Sequence, residues 1–427
     1  MSDELLLVNA RQVVTCAGPG RARRGSEMAD AAIREGVAVH VRGETIVDVA
    51  LESTLREAHP GAALVDCERG VVTPGFVDSH THAVFGRARY EEQELRASGV
   101  PYMEIARRGG GIHASVRDLR ARDEDELFAL ARRRLAALAA SGVTTVELKS
   151  GYGLSLDDEL KMLRVIRRLA DALPMRIVPT WLGAHEVPLE FRGRDGGRRE
   201  YVDRLIHEML PAVAVERLAR FADVFCEPGV FTVDEAREIL VAASAAGLGL
   251  KLHADELTSG GGAELAASLG ATSADHLAAI SDAGIEALAG AGTVATLLPA
   301  TMLFLGKREH APARRLIDAG VPVALATDFN PGTSPTTNFP LVLTLGVSQL
   351  RLGVAEVLVA ATVNGAAALG LADRTGQLAP GFSADLALWA IDDARELPYW
   401  LGGGRCHASW TRGKPCHPRD LELAFSR

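Results

Sequence analysis

A chain of 427 residues with 48% apolar and 24% charged residues has the make-up of a folded globular protein with a large core, not of a disordered or fibrous one. Its net charge of −9 argues against nucleic acid or an anionic membrane as partner, because both are held by basic patches that displace counterions. The five cysteines (Cys16, Cys67, Cys226, Cys406 and Cys416) are odd in number, scattered and without a CxxC pair, which excludes a disulfide framework and a cysteine zinc site and points to the reducing cytosol.

In chain order, Met1-Ser2-Asp3-Glu4 places acid where a signal peptide carries positive charge. No apolar run approaches the roughly 20 residues of a membrane span. Residues 4 to 70 hold short β-like pieces, Leu5 to Asn9, Val37 to Arg42 and Thr45 to Val49, between turn residues. From about residue 374 the same style returns, with a turn at Gly376 to Gly381 and an apolar strand over Ala384 to Ala390. Residues 1–70 and 374–427 are therefore expected to form one small β module.

Residues 71–373 alternate short β-branched runs with longer Ala/Leu/Arg segments of helical period, the mark of βα units on a parallel sheet. Eight strands are expected: Val71 to Ser79, Val143 to Leu148, Arg176 to Leu182, Ala222 to Cys226, Gly249 to Leu252, Ala271 to Ala274, Thr293 to Leu297 and Val323 to Ala326. Helices are expected over Asp123 to Ala140, Leu156 to Ala172 and Val233 to Ala246. The fold class is α/β, a (β/α)₈ barrel of the TIM type, whose chemistry stands at the C-terminal strand ends. Those ends are polar: His80 and His82 after strand one, Lys149 after two, His185 after three, Glu227 after four, His253 after five, His276 after six and Asp328 after eight.

His80 and His82 lie two apart on an extended segment, so both imidazoles face the same way and can share a cation. An HxH pair alone is weak evidence, but with His253 and Asp328 at later strand ends it becomes a candidate metal set. Three imidazoles and a carboxylate suit one divalent ion, Zn²⁺ or Fe²⁺, better than Mg²⁺ or Ca²⁺. Hydrolysis is the natural use of such a site.

The run Pro74-Gly75-Phe76-Val77-Asp78-Ser79-His80-Thr81-His82, with His253, His276 and Asp328 at later strand ends, resembles the amidohydrolase superfamily. Gly376-x-Leu378-x-Pro380-Gly381-x-x-Ala384-Asp385-Leu386 is similar to its C-terminal segment, and the likeness covers nearly the whole chain. It implies a β-sandwich built from both termini and one catalytic metal at the barrel mouth. In dinuclear relatives a carbamylated lysine near the end of strand four bridges two ions. Here strand four ends in Cys226-Glu227 and Lys149 follows strand two, which favours one ion, with Glu227 as the place where a second would bind.

Substrate contacts are sought among the other strand-end residues. The loop Phe85 to Glu91 carries arginines, which in a loop are either solvated or forks for a carboxylate. Lys149-Ser150-Gly151-Tyr152-Gly153 is either a packed glycine turn or a close approach to a ligand, and His185 is either a hydrogen-bonded strand end or a contact. The nearest likeness within the superfamily is to members that open a small anionic heterocycle with water. That likeness implies that Arg89, Tyr152 and His185 hold the substrate, that Glu256 lies beside the ring, and that Asn330, Gly332 and Thr333 surround the amino-acid end. Glu256, His276 and Asp328 are then the catalytic candidates, with the division of proton transfers between them open. Rival readings are another cyclic-amide hydrolase or a deaminase, and a scaffold without catalysis; a homodimer is the assembly considered.

Overall fold

Eight parallel strands form the centre of the fold in the computed structural model, which describes residues 4–100, 104, 109–403 and 406–417. The parts of the expected β module at 1–3, 404–405 and 418–427 lie outside the described residues. The strands are Phe76–Asp78, Val143–Lys149, Arg176–Ala184, Phe221–Cys226, Gly249–Ala254, Ser273–His276, Val294–Leu297 and Val323–Leu325, each hydrogen-bonded to the next in chain order. The barrel closes between the short first and last strands. There Thr81 bridges Phe329, Asp328 N donates to His80 O at 3.0 Å, and His82 N donates to Phe329 O at 2.8 Å. Below that seam the buried Asp78 carboxylate accepts from Thr327 N at 3.0 Å and Thr327 Oγ1 at 2.7 Å.

Strands two to eight lie where their apolar runs place them, but the single first strand expected over Val71 to Ser79 is two strands in different sheets. Val71–Pro74 pairs with Leu386–Trp389 and with Gln12–Val14 in a six-stranded sheet, and only Phe76–Asp78 joins the barrel. Gly75 is the hinge between them. A Cβ at this position would collide with the Thr144 side chain, so the chain can cross from sheet to sheet here only as glycine. The Pro74-Gly75 pair in the middle of this stretch was the sequence signal for the change of sheet.

The helices begin where side-chain caps relieve their free N–H groups. Asp123 caps Glu124–Ala140, Ser155 caps Leu156–Ala172, and Thr232 with Glu235 forms a capping box on Val233–Ala245. Their apolar faces, such as Leu160, Leu163, Ile166 and Leu169, are buried in the core that surrounds the barrel. None of the described helices is long and apolar enough to cross a membrane, and all five cysteines are free and buried.

Two further sheets come from the chain ends. One joins Glu4–Val8, Val37–Arg42, Thr45–Leu51 and Ala63–Asp66; the other joins Gln12–Val14, Ile33–Arg34 and Val71–Pro74 to Leu386–Trp389, Cys406–Thr411 and Lys414–His417. Leu7, Val39, Val41, Val72, Leu386 and Leu388 pack into one apolar cluster drawn from both sheets. Asp385, from the C-terminal run noted above, is buried at the junction with the barrel, where Thr375 Oγ1, Ser383 Oγ and Arg412 N donate to it and Arg176 pairs with it at 3.2 Å. Trp389 packs on Phe76 and donates from Nε1 to Thr73 at 3.0 Å, so the sheet that carries it rests on the strand leading to His80.

Candidate metal centre

His80 and His82 follow the three-residue first strand, and their Nε2 atoms stand 3.3 Å apart. Asp328 Oδ1, from the far side of the seam, lies 3.6 Å from His80 Nε2 and 3.5 Å from His82 Nε2. His253 closes the fifth strand with its ring 4.5 Å from that of His80. A tetrahedral shell with bonds of about 2.0–2.1 Å sets its ligand atoms about 3.3–3.4 Å apart, so these spacings fit one ion without rearrangement. Two imidazole nitrogens facing each other at this distance, with a carboxylate oxygen between, need a cation or protons to be stable. Burial and the nearby Lys149 charge hold His80 well below the ordinary imidazole range; burial and His185 do the same to His82, leaving both neutral, as metal ligands must be.

Four groups of His, Cys, Asp or Glu among the described residues bring ligand atoms within 4.8 Å of one another. Three include His80; the fourth, Glu4, His40 and His59, lies in a terminal sheet, where Arg42 already pairs with Glu4. None includes Glu227. Its carboxylate accepts from Thr258 Oγ1 at 2.6 Å and Leu257 N at 3.2 Å, so it fastens the loop after the fifth strand, and no second-ion group forms around it among the described residues.

Lys149 is not at the mouth. It ends the second strand with its side chain inside the barrel, completely buried, where Nζ meets Asp223 Oδ2 at 2.7 Å and Glu147 Oε2 at 2.9 Å. These carboxylates hold it charged against the effect of burial. Asp223 in turn lies 3.0 Å from His253 Nδ1 and accepts from His253 N at 3.1 Å; Asp275 Oδ2 lies 2.6 Å from His80 Nδ1. Burial opposes ionisation of Asp223, but its pairing with His253 and Lys149 holds its carboxyl well below the usual range, and the same carboxylate lifts His253 above the ordinary imidazole range against burial, unlike His80 and His82. Sequence reasoning missed Glu147, Asp223, Lys251 and Asp275. The signal was there: charged residues in apolar parallel strands, in Glu147-x-Lys149 and Lys251-x-His253, face the same way two apart.

His276 takes φ +77° and Asp328 φ +51°, left-handed conformations that cost a non-glycine residue roughly 1–3 kcal/mol each and turn the chain sharply at the strand end. Thr301 Oγ1 donates to Asp328 Oδ2 at 2.6 Å, fixing the carboxylate's other oxygen. Burial pushes the Asp328 carboxyl up to about 6. Glu256 Oε2 lies 3.7 Å from His276 Nδ1, and burial, reinforced by Asp328, pushes its carboxyl up to about 8.

On the opposite side, His185 stacks on His82 at 5.1 Å and holds Gly151 O with Nδ1 at 3.0 Å, while Tyr152 packs 5.4 Å from His185. Arg89 turns inward, only 12% of its side chain exposed, its Nε 3.8 Å from Glu92 Oε1 and making no hydrogen bond. Gly332 makes the room for it, since a Cβ there would occupy the guanidinium's place. Asn330 is spent within its own loop: Oδ1 accepts from Gly332 N at 2.8 Å and Thr333 N at 2.7 Å, and Nδ2 donates to Asp328 O at 2.7 Å. Its side chain thus shapes the cradle for Arg89.

This arrangement can be set beside known proteins. The model of the amidohydrolase family matches residues 104–415. Curated relatives include the imidazolonepropionase of Symbiobacterium thermophilum, 50% identical over 415 residues that cover 96% of each chain, and that of Solibacter usitatus, 46% identical over 98% of this chain and 100% of that one. The chain belongs to the imidazolonepropionase branch of the amidohydrolase family. A solved amidohydrolase from a Sargasso Sea environmental sample shares the fold at a TM-score of 0.70 and 21% identity, over 99% of this chain and 96% of that one.

In this amidohydrolase the loop that carries Tyr152 also rests on a residue that the sequence pattern does not single out. Glu159, wholly buried, takes N–H groups from Gly151 at 3.1 Å, Gly153 at 2.8 Å and Leu154 at 3.0 Å on one oxygen. The loop that presents Tyr152 is fastened from behind by this carboxylate. Its only sequence signal was an acidic residue on the first turn of the helix capped by Ser155.

Proposed function

We propose that this chain opens the ring of 4-imidazolone-5-propanoate with water, giving N-formimidoyl-L-glutamate, as a cytoplasmic homodimer in histidine degradation. The single observation that carries the substrate assignment is the inward-turned Arg89, its Nε making no hydrogen bond and only a 3.8 Å ion pair to Glu92, its charge reaching Tyr152 and His185 beside the His80–His82 pair. A propanoate carboxylate is the anion such a guanidinium is shaped to receive, and an acidic chain needs a local cation to capture it. The family names of the full-length relatives point the same way.

In this reading His80, His82, His253 and Asp328 hold one divalent ion, Zn²⁺ or Fe²⁺, which supplies Lewis acidity and an acidified water at neutral pH. The protein's own groups do the rest. Arg89 binds the carboxylate; Tyr152 and His185 orient the ring; Asn330, Gly332 and Thr333 shape the wall around the amino-acid end. The water oxygen adds to the ring carbonyl carbon, and Asp328 takes up one of its protons, a task suited to a carboxyl poised near 6. Neutral His276 donates to the carbonyl oxygen as charge develops there. The ring C–N bond then breaks as Glu256 gives its proton to the departing nitrogen; the new carboxyl group sheds the second water proton, and of this proton and the one on Asp328 one restores Glu256 and the other leaves to solvent.

Incubating purified protein with imidazolone propanoate and following formimidoylglutamate tests the substrate. Appearance of the product supports the assignment, and its absence from metal-replete protein overturns it. Metal analysis of the active protein decides between zinc and iron, and sedimentation decides the assembly.

A further inference from the structure

A barrel interior is ordinarily filled by branched apolar side chains. Here a layer directly beneath the candidate metal site holds five ionisable side chains, Glu147, Lys149, Asp223, Lys251 and Asp275, every one of them essentially without solvent exposure. Removing a single ion from water costs several kcal/mol even after relaxation, so five together are retained only where their arrangement serves something.

Their contacts converge on two imidazoles. Lys149 Nζ stands between Asp223 Oδ2 at 2.7 Å, Glu147 Oε2 at 2.9 Å and Asp275 Oδ2 at 3.7 Å. Asp275 Oδ2 meets His80 Nδ1 at 2.6 Å, and Asp223 Oδ2 meets His253 Nδ1 at 3.0 Å. Lys251 Nζ completes the frame, pairing with Glu147 Oε1 at 3.0 Å and donating to Ser79 O at 2.9 Å, the carbonyl directly before His80. Ser273 Oγ fixes the other Asp275 oxygen at 2.6 Å. Three carboxylates against two ammonium groups leave one negative charge, placed next to the Nδ1 atoms of two candidate ligands.

We propose that Lys149 is a positioning residue for the metal centre: it clamps Asp223 and Asp275 in one rigid frame with Glu147 and Lys251, so that His80 and His253 each keep the proton on Nδ1 and turn Nε2 to the ion. A carboxylate on Nδ1–H fixes the tautomer and ring angle of a ligating histidine and raises its basicity. One cation shared by both carboxylates ties the two imidazoles to each other, although they stand on the first and fifth strands. The proposal rests on reading His80, His82, His253 and Asp328 as the shell.

The test is the dissociation constant for Zn²⁺, measured on the full-length protein by competition with a chromophoric chelator, for wild type, K149M, D223N and H253A. The absorption spectrum of the Co²⁺-loaded proteins reports the geometry of the shell. K149M and D223N are expected to bind Zn²⁺ about 10–100-fold more weakly, the loss typical of a partner behind a ligand, with displaced Co²⁺ bands. A merely structural role would lower the melting temperature of the metal-free protein and leave both readouts at their wild-type values. Wild-type Zn²⁺ affinity in D223N, which keeps the side-chain shape, overturns the proposal even if K149M does not fold. Wild-type affinity in H253A as well would instead show that the shell itself was misassigned.

Discussion

His80, His253 and Asp328 stand at strand ends and rest on the buried carboxylates of Asp275 and Asp223 and on the Thr301 hydroxyl, whereas Arg89, Tyr152 and Thr333 stand on loops and are held by hydrogen bonds from behind. The metal side takes its precision from the sheet, whose hydrogen bonds leave little freedom at a strand end. The substrate side takes its precision from isolated supports such as Glu159 and Asn330. The first suits a reaction common to many relatives, and the second suits a specificity that changes by altering one loop at a time.

That contrast sets an order of expected damage. Replacing a strand-end ligand, as in H253A or D328A, should abolish stoichiometric metal binding and reduce turnover by several orders of magnitude; near-normal turnover with stoichiometric metal would break the comparison at its root. Next comes E256Q, for which a loss of about 10²–10⁴-fold in turnover is expected if this group gives the proton to the leaving nitrogen. Its carboxyl is pushed up to about 8 and so is protonated at neutral pH. Wild-type activity should therefore fall as pH rises through about 8, and that limb should vanish in E256Q. Because the folded value lies above the unfolded one, the same group stabilises the metal-free protein fully below pH 4.5, and this contribution fades as pH rises through about 8. Melting curves across this range should show the decline in wild type and a flatter profile in E256Q.

On the loop side, R89M removes a charge-assisted contact worth about 1.5–3 kcal/mol, an expected loss of roughly 10–150-fold in kcat/KM. The loss should fall on KM more than on kcat, and R89K should recover only part of it, since lysine lacks the planar fork. The smallest kinetic effect is expected from E159L, which strands three buried N–H groups behind Tyr152 at a cost of roughly 1–3 kcal/mol in stability for each. E159Q keeps an acceptor and should restore most of it. A larger kinetic loss in E159L than in R89M would mean that the loop's shape matters more than the charge it faces.

The same contrast explains what could be read from the sequence. Strand ends announce themselves, because a polar residue after an apolar β-branched run has few other reasons to be there, and the gathering of His80, His82, His253, Asp328, His185 and His276 at one end of the barrel was legible on that basis. The helices at Glu124–Ala140 and Leu156–Ala172 were legible from their period and caps. The division at Gly75 was signalled by the Pro74-Gly75 pair but read through because apolar residues continue on both sides, and pattern alone does not say which sheet a run joins. Lys149 was misplaced because a lysine at a strand end was taken to face the mouth, when Asp223 and Glu147 were waiting for it inside. Thr301 acts on a carboxylate 27 residues away, beyond any spacing rule, while Glu159, only five to eight residues from the N–H groups it takes, looks in sequence like any acid on the first turn of a helix.

The seam of the barrel carries a consequence for how this protein is made. His80 and His82 are supplied by the first barrel strand and Asp328 by the last, and the hydrogen bonds that join these strands run through the same residues. A ribosome delivers Asp328 only after every other strand of the barrel has been synthesised, so the complete set of candidate ligands cannot exist on a nascent fragment. An ion held by these residues could load only once the ring can close, and it would then act as a clasp across the joint between the first strand and the last.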